Sequence, residues 1–101
     1  MRVYLSGSVS NCLDTYREKF KEAEDVLKGQ GHIVINPACL PIGLSEVDYM
    51  PICLSMLEAA DAICMIGDDW RHSRGAVLEK AYADYQGKKV IYYGNGKTIE
   101  G

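Results

Sequence analysis

Four short apolar runs alternate with three segments of helical periodicity along the 101 residues. The runs, at residues 3–6, 32–35, 62–66 and 90–93, predict strands. Strands that alternate with helices pair in parallel and are joined by right-handed crossovers. We therefore expect one α/β domain over residues 1–101, a flavodoxin- or Rossmann-like three-layer sandwich whose four-stranded parallel sheet has the order 2-1-3-4.

The helical segments carry start and stop signals of their own. A capping box, Thr15-x-x-Glu18, predicts the start of the first helix. Its apolar face is expected to contain four residues at steps of four, three and four: Tyr16, Phe20, Ala23 and Leu27. The second helix is expected over residues 45–60 and the third from about residue 75 to residue 86. Residues from Gly94 onward are expected to form a polar tail. The apolar stripe of the third helix is expected to contain Leu78, Ala81, Tyr82 and Tyr85.

Polar, glycine-bearing loops follow each of the first three expected strands. The first holds Gly7, Ser8 and Ser10, and the third, residues 67–74, leads into the helix that carries Glu79. All three loops leave the carboxyl edge of the sheet, where open α/β sheets bind ligands at the point at which the strand order reverses. The sequence thus predicts a ligand crevice between the first and third strands, bordered by Glu79.

Two residues of this region have more than one interpretation. Glu79 is a nucleophile, a group that orients a ligand, or a carboxylate that answers the positive end of the helix dipole. Trp70 either stacks on a base or lies in a dimer interface, where tryptophan is enriched.

Composition narrows the class of protein. The net charge of −3 argues against a general nucleic-acid binder. The chain starts directly with a strand pattern and has no apolar run of about 20 residues, so we expect a cytoplasmic protein that does not bind membranes. The four cysteines lack the spacing of a zinc site, and we expect reduced, mostly buried thiols with no metal site and no cofactor.

Several segments together resemble one known family. They are VYLSGS at residues 3–8, GHIVINP at 31–37, ADAI at 60–63 and WxxSxGAxxE at 70–79. In this order, over nearly the whole chain, they resemble the nucleoside 2-deoxyribosyltransferase-like superfamily, and more narrowly its small phage and bacterial proteins with a GWxxSxGAxxE motif. Position 69 holds Asp where that motif has Gly.

The resemblance implies a chemistry. Catalytic members of this superfamily act on nucleosides or nucleoside 5′-monophosphates, and their glutamate displaces the base from the anomeric carbon. By resemblance Glu79 occupies the nucleophile position, and Tyr4 matches a strand tyrosine beside it. By resemblance, Gly7 and Ser8 belong to the loop that binds the phosphate or sugar, and Ser73 matches a serine that contacts the phosphate. Ser10 and Gly75 are further candidate substrate-binding residues.

Two positions depart from the pattern that this resemblance implies. The monophosphate-specific members carry an arginine where this chain has Ser10, and the catalytic enzymes carry an aspartate where it has Cys53. Asp48, five residues before Cys53, is the candidate substitute for that aspartate.

Two functions follow from these positions. The first is cleavage or transfer at the N-glycosidic bond of a small-molecule nucleoside or nucleotide, and the alternative is a non-catalytic nucleotide-binding protein on the same fold. A third interpretation is a structural or interaction module whose pocket no longer binds a ligand. The small core and seven tyrosines favour a homodimer or larger homo-oligomer. By resemblance, a neighbouring subunit completes the site near its carboxyl end, and Asn95 or the tail after it is expected to do so here.

Overall fold

A five-stranded sheet with helices on both faces makes up the structure, a computed structural model that describes residues 1–8, 16–41 and 43–101. The strands are β1 (Arg2–Ser6), β2 (Ile33–Ile35), β3 (Ala62–Ile66), β4 (Lys89–Gly94) and β5 (Lys97–Glu100). The helices are α1 (Tyr16–Gly29), α2 (Glu46–Glu58) and α3 (Arg74–Tyr85). The expected first capping box begins at Thr15, outside the described residues.

The strand order is β2-β1-β3-β4-β5. The first four strands pair in parallel, with Tyr4 opposite Ile63 in the β1–β3 pair. The α/β class and the order of these four strands are as the sequence predicted. Because β1 lies between β2 and β3, its backbone is fixed on both sides.

The polar tail expected after Gly94 is wrong. Lys97–Glu100 pairs antiparallel with β4, so the sheet has five strands instead of four. Asn95 and Gly96 form the connecting turn with φ of 53° and 75°. An Asn-Gly pair is a strong hairpin signal because both residues tolerate positive φ, and this pair turns the chain back to form β5.

Alternation along β1 divides its side chains between two cores. Val3 and Leu5 face the side covered by α1, whereas Tyr4 faces the side covered by α2 and α3. The face expected for α1 is confirmed, since its four predicted members are all buried: Tyr16, Phe20, Ala23 and Leu27.

The stripe expected for α3 is wrong except for Tyr82, which is partly buried and packs against the core. Leu78, Ala81 and Tyr85 are exposed, and the buried residues of the helix are Ala76, Glu79 and Ala83. Small side chains let the helix approach the sheet closely, and the space they leave is occupied by a carboxylate that hydrophobic periodicity does not register.

Among the described cysteines, Cys53 and Cys64 are buried thiols and Cys39 is an exposed one. Within the same part of the chain, every helix is too short or too polar to cross a lipid bilayer. No group of three or more potential metal ligands lies together among the residues that are described.

Candidate active site at the carboxyl edge of the sheet

Glu79 is buried on the inner face of α3, opposite the end of β1, with 5% of its surface exposed. Each of its carboxylate oxygens accepts a hydrogen bond from a hydroxyl of β1. The Ser6 hydroxyl donates to Oε1 at 2.7 Å, and the Tyr4 hydroxyl donates to Oε2. Because residues two apart on a strand point to the same face, β1 presents both donors to one carboxylate.

Burial has the largest effect on the pKa of Glu79. It raises the pKa of Glu79 to about 7, while the hydrogen bonds from Tyr4 and Ser6 act in the opposite direction. Burial and the neighbouring Glu79 charge also raise the pKa of Tyr4, so its phenol remains a neutral donor. A carboxyl poised near neutral pH in a cleft is typical of an active site.

Cys53 lies behind Tyr4, and its thiol is fully buried beside the side chains of Tyr4 and Tyr49. The Tyr49 hydroxyl donates to the Pro37 carbonyl oxygen at 3.5 Å. Burial raises the pKa of Cys53 to about 11, and it raises the pKa of Tyr49 as well. The position to which the resemblance assigns an aspartate therefore contacts Tyr4, but it carries a neutral thiol.

A cavity of about 540 Å³ opens in front of Glu79 at the carboxyl edge of the sheet. Tyr4, Ser6 and Glu79 contribute polar groups to its lining. Two of its aromatic rings, Tyr16 and Phe20, meet edge to face with their centroids 6.1 Å apart. Other lining residues come from α2 and the loop before it, and they include Pro37, Pro41, Leu44, Tyr49 and Met50.

The start of α3 forms another part of the lining. Ser73 caps this helix, and its hydroxyl oxygen accepts a hydrogen bond from the Ala76 backbone N–H at 3.3 Å. His72, Arg74 and Gly75 also line the cavity. Arg74 forms no ion pair with any residue that the structure describes, so its guanidinium is available to an anion there.

Five of the predicted site residues thus share one cavity: Tyr4, Gly7, Ser73, Gly75 and Glu79. Gly7 also has a packing role, because a Cβ there would lie 3.2 Å from Cβ of Ile66. Ser8 is buried outside the cavity lining, and its Oγ has no hydrogen-bond partner among the described residues. Ser10 lies outside those residues.

The three remaining predicted site residues do not line the cavity. Asp48 is exposed on the first turn of α2 and hydrogen-bonds with Ser45, so it does not take the place of the acid that Cys53 replaces. Trp70 packs in the core beneath α3 with 8% of its surface exposed, because its large ring fills space there instead of lining the cavity. Asn95 lines a separate depression beside the β4–β5 turn.

Sequence reasoning missed Ser6, Tyr49, His72 and Arg74 as site residues. Ser6 had a usable signal, because it follows Tyr4 by two positions on a strand and must share its face. Tyr49 had none, because its role depends on how α2 crosses the end of β1.

Two comparisons of the sequence differ in outcome. The profile of a family described as "Domain of unknown function (DUF4406)" matches residues 1–92. Curated protein sequences yield no match.

Solved structures share the fold. A 2-deoxyribosyltransferase from Bacillus psychrosaccharolyticus is 23% identical, with a TM-score of 0.70, 91% of this chain covered and 71% of that chain. The 2-deoxyribosyltransferase of Leishmania mexicana is 20% identical with a TM-score of 0.70, over 91% of this chain and 63% of its own. A CMP N-glycosidase from Clostridium botulinum is 19% identical with a TM-score of 0.64, and the match covers 94% of this chain and 76% of that chain. The chain therefore has the α/β fold of these 2-deoxyribosyltransferases and of the CMP N-glycosidase.

Proposed function

This chain belongs to the family described as a domain of unknown function, DUF4406, and we propose that it cleaves or transfers at the N-glycosidic bond of a nucleoside or nucleotide, with Glu79 as nucleophile. One observation carries the proposal: a buried carboxylate faces a cavity with both oxygens held by hydroxyls of the central strand. Structures with this fold include two deoxyribosyltransferases and a CMP N-glycosidase, and this adds support.

The reaction is a double displacement. The ionised Glu79 attacks the anomeric carbon, the C–N bond breaks, and the base leaves with the bonding electrons and takes a proton from solvent. The resulting glycosyl ester on Glu79 is then attacked by water or by a second base. The attacking group takes the sugar and loses a proton to solvent, and the carboxylate of Glu79 is released. Tyr4 holds the carboxylate through both steps.

Different regions of the cavity suit the base, the sugar and the phosphate of such a substrate. The rings of Tyr16, Phe20 and Tyr49 provide apolar area for a base. The loop after β1, with Gly7, Ser8 and Ser10, is proposed to contact the sugar or phosphate. Trp70, Asp48 and Asn95 lie outside the cavity lining, and only Asn95, contributed by a second subunit, keeps a place in the proposal.

The start of α3 suits a 5′-phosphate. Glu79 follows Ser73 by six positions, which corresponds to a rise of about 9 Å along a helix. An anion at this end of α3 meets the positive end of the helix dipole, the Ser73 hydroxyl and Arg74. Arg74 is proposed to supply the charge that the first loop lacks at Ser10.

The alternative function is nucleotide binding without turnover. Cys53 favours it, since the superfamily position for a second carboxylate holds a thiol whose raised pKa keeps it neutral. Retaining glycosidases use two carboxyl groups, one of which exchanges protons with the leaving group.

The proposal is tested by incubating the protein with nucleosides and 5′-monophosphates, with and without an acceptor base. The free base released is measured by chromatography. The wild type is compared with Glu79→Gln and with Glu58→Gln, which changes an exposed acid at the end of α2. We expect base from the wild type and Glu58→Gln only. Equal release by Glu79→Gln contradicts the assignment, and thermal stabilisation by a nucleotide without release of base indicates the binding function.

A further inference from the structure

We propose that Ser6 is a positioning residue for Glu79: its hydroxyl fixes the orientation of the carboxylate and favours its ionised form. The inference rests on the proposed function only where it treats Glu79 as the reacting group. The hydrogen bond itself is a property of the fold.

The contact is built from fixed parts. Ser6 is 1% exposed and lies at the end of β1, where its backbone pairs with Met65 of β3. The pairing of β1 with β2 on the other edge covers Arg2 to Tyr4. Its Oγ lies 2.7 Å from Oε1 of Glu79, a short hydrogen bond to a charged acceptor. With the strand held, the hydroxyl has little freedom other than rotation of a single torsion.

Ser6 and Tyr4 together restrain the carboxylate more than either does alone. One donor on each oxygen fixes the plane of the group, whereas a single donor leaves it free to turn about that hydrogen bond. Each oxygen retains a lone pair that no donor from β1 uses, and the group lines the cavity.

The same two donors distinguish the ionised from the neutral carboxyl. An ionised carboxylate accepts both hydrogen bonds, but a neutral one has a proton on one oxygen, which then competes with a donor. Ser6 therefore opposes the effect of burial, and its hydrogen bond lowers the pKa of Glu79. Loss of that bond is expected to raise the Glu79 pKa by about one pH unit or more.

Carbon-13 NMR of glutamate-labelled protein measures this directly, without a substrate. The Glu79 carboxyl signal is assigned from its loss in Glu79→Gln and titrated in the wild type, Ser6→Ala and Ser6→Cys. Ser55→Ala, an exposed serine of α2, is the matched control. We expect the midpoint to rise in Ser6→Ala, to rise less in Ser6→Cys because a thiol is a weaker donor, and to stay constant in Ser55→Ala.

An unchanged Glu79 midpoint in a folded Ser6→Ala or Ser6→Cys protein overturns the inference. Ser6→Cys, which keeps a side chain of similar shape, provides the measurement if Ser6→Ala does not fold. A raised midpoint without release of base from any substrate supports the role of Ser6 and counts against the proposed function. Release of base that depends on Glu79, with an unchanged midpoint in the Ser6 variants, does the reverse.

Discussion

The carboxyl of Glu79 must be ionised to attack carbon, yet burial favours its neutral form. Tyr4 and Ser6 reduce this conflict without removing it, since the pKa remains raised to about 7. Activity that depends on the ionised form increases as the pH rises through this value. Stability changes in the opposite direction over the same range.

The stability effect has a defined sign and window. Between pH 4.5, the ordinary pKa of this carboxyl, and about pH 7, the unfolded chain has released a proton that the folded chain retains. The free energy of unfolding therefore falls as the pH rises through this window. In Glu79→Gln this contribution is absent, so we expect the variant to gain about 3 kcal/mol relative to the wild type between the two pH values.

Urea denaturation at several pH values measures that difference. Glu58→Gln, which removes an exposed carboxylate of α2, is the control. A constant difference between Glu79→Gln and the wild type from pH 4.5 to 7 contradicts the prediction.

At the level of elements, α3 has small and acidic residues inside and large apolar residues outside. Ala76 and Ala83 bring it close to the sheet, and its first turn contributes to the cavity lining. The helix thus positions the nucleophile on its inner face and an anion-binding group, Arg74, at its start.

Two alanines of α3 test the inward face. Ala83 is fully buried and Ala81 is exposed on the same helix. We expect Ala83→Leu to lower the free energy of unfolding by about 1–3 kcal/mol through overpacking, and Ala81→Leu to change it by less than about 0.5 kcal/mol. Urea denaturation at low protein concentration measures both, and equal effects would show that the inward face is misassigned.

Arg74 tests the role of the helix start in recognition. We expect Arg74→Ala to weaken binding of a nucleoside 5′-monophosphate about tenfold, because a hydrogen bond to a charged group is lost. Binding of the unphosphorylated nucleoside is expected to stay unchanged. Calorimetric titration in a Glu79→Gln background prevents turnover.

Arg71→Ala is the matched control, since Arg71 lies at the separate depression and pairs with Asp68. Equal weakening of the phosphorylated and unphosphorylated ligands by Arg74→Ala contradicts a phosphate contact.

Sequence patterns predict elements whose burial follows hydrophobic periodicity. The face of α1 is such a case, because its buried residues Tyr16, Phe20, Ala23 and Leu27 are the apolar ones. The inner face of α3 is not, because there the proximity of the sheet requires alanine and the site requires a carboxylate. The pair Tyr4 and Glu79 was expected from the resemblance, whereas Tyr49 enters the site only through the packing of α2.

At the scale of the whole molecule, the outer surface of α3 exposes several apolar side chains beside the charged Arg74 and Asp84. Tyr85 is 89% exposed, and Val77 and Leu78 are each nearly half exposed on the same helix. Exposed apolar groups clustered on one helix are typical of an interface. We propose that this surface joins two copies of the chain, in line with the homodimer expected from the sequence.

Sedimentation velocity at micromolar concentration tests this proposal. We expect a dimer for the wild type and a monomer for Leu78→Asp, because a charge in an apolar interface must be desolvated. Ile33→Asp, an exposed position on β2 at the opposite edge of the sheet, is the control and is expected to remain a dimer. A monomeric wild type excludes the proposal at that concentration.

Tyr4 and Glu79 are 75 residues apart in the sequence, and this separation makes the order of folding matter for the chemistry. During synthesis the residues of β1 are made first. Their hydroxyls have no carboxylate to bind until α3 has been synthesised and has docked on the sheet. Until then Glu79 is an ordinary solvated acid. A reactive glutamate therefore comes into existence only with the completed tertiary structure, and partly folded chains do not carry it.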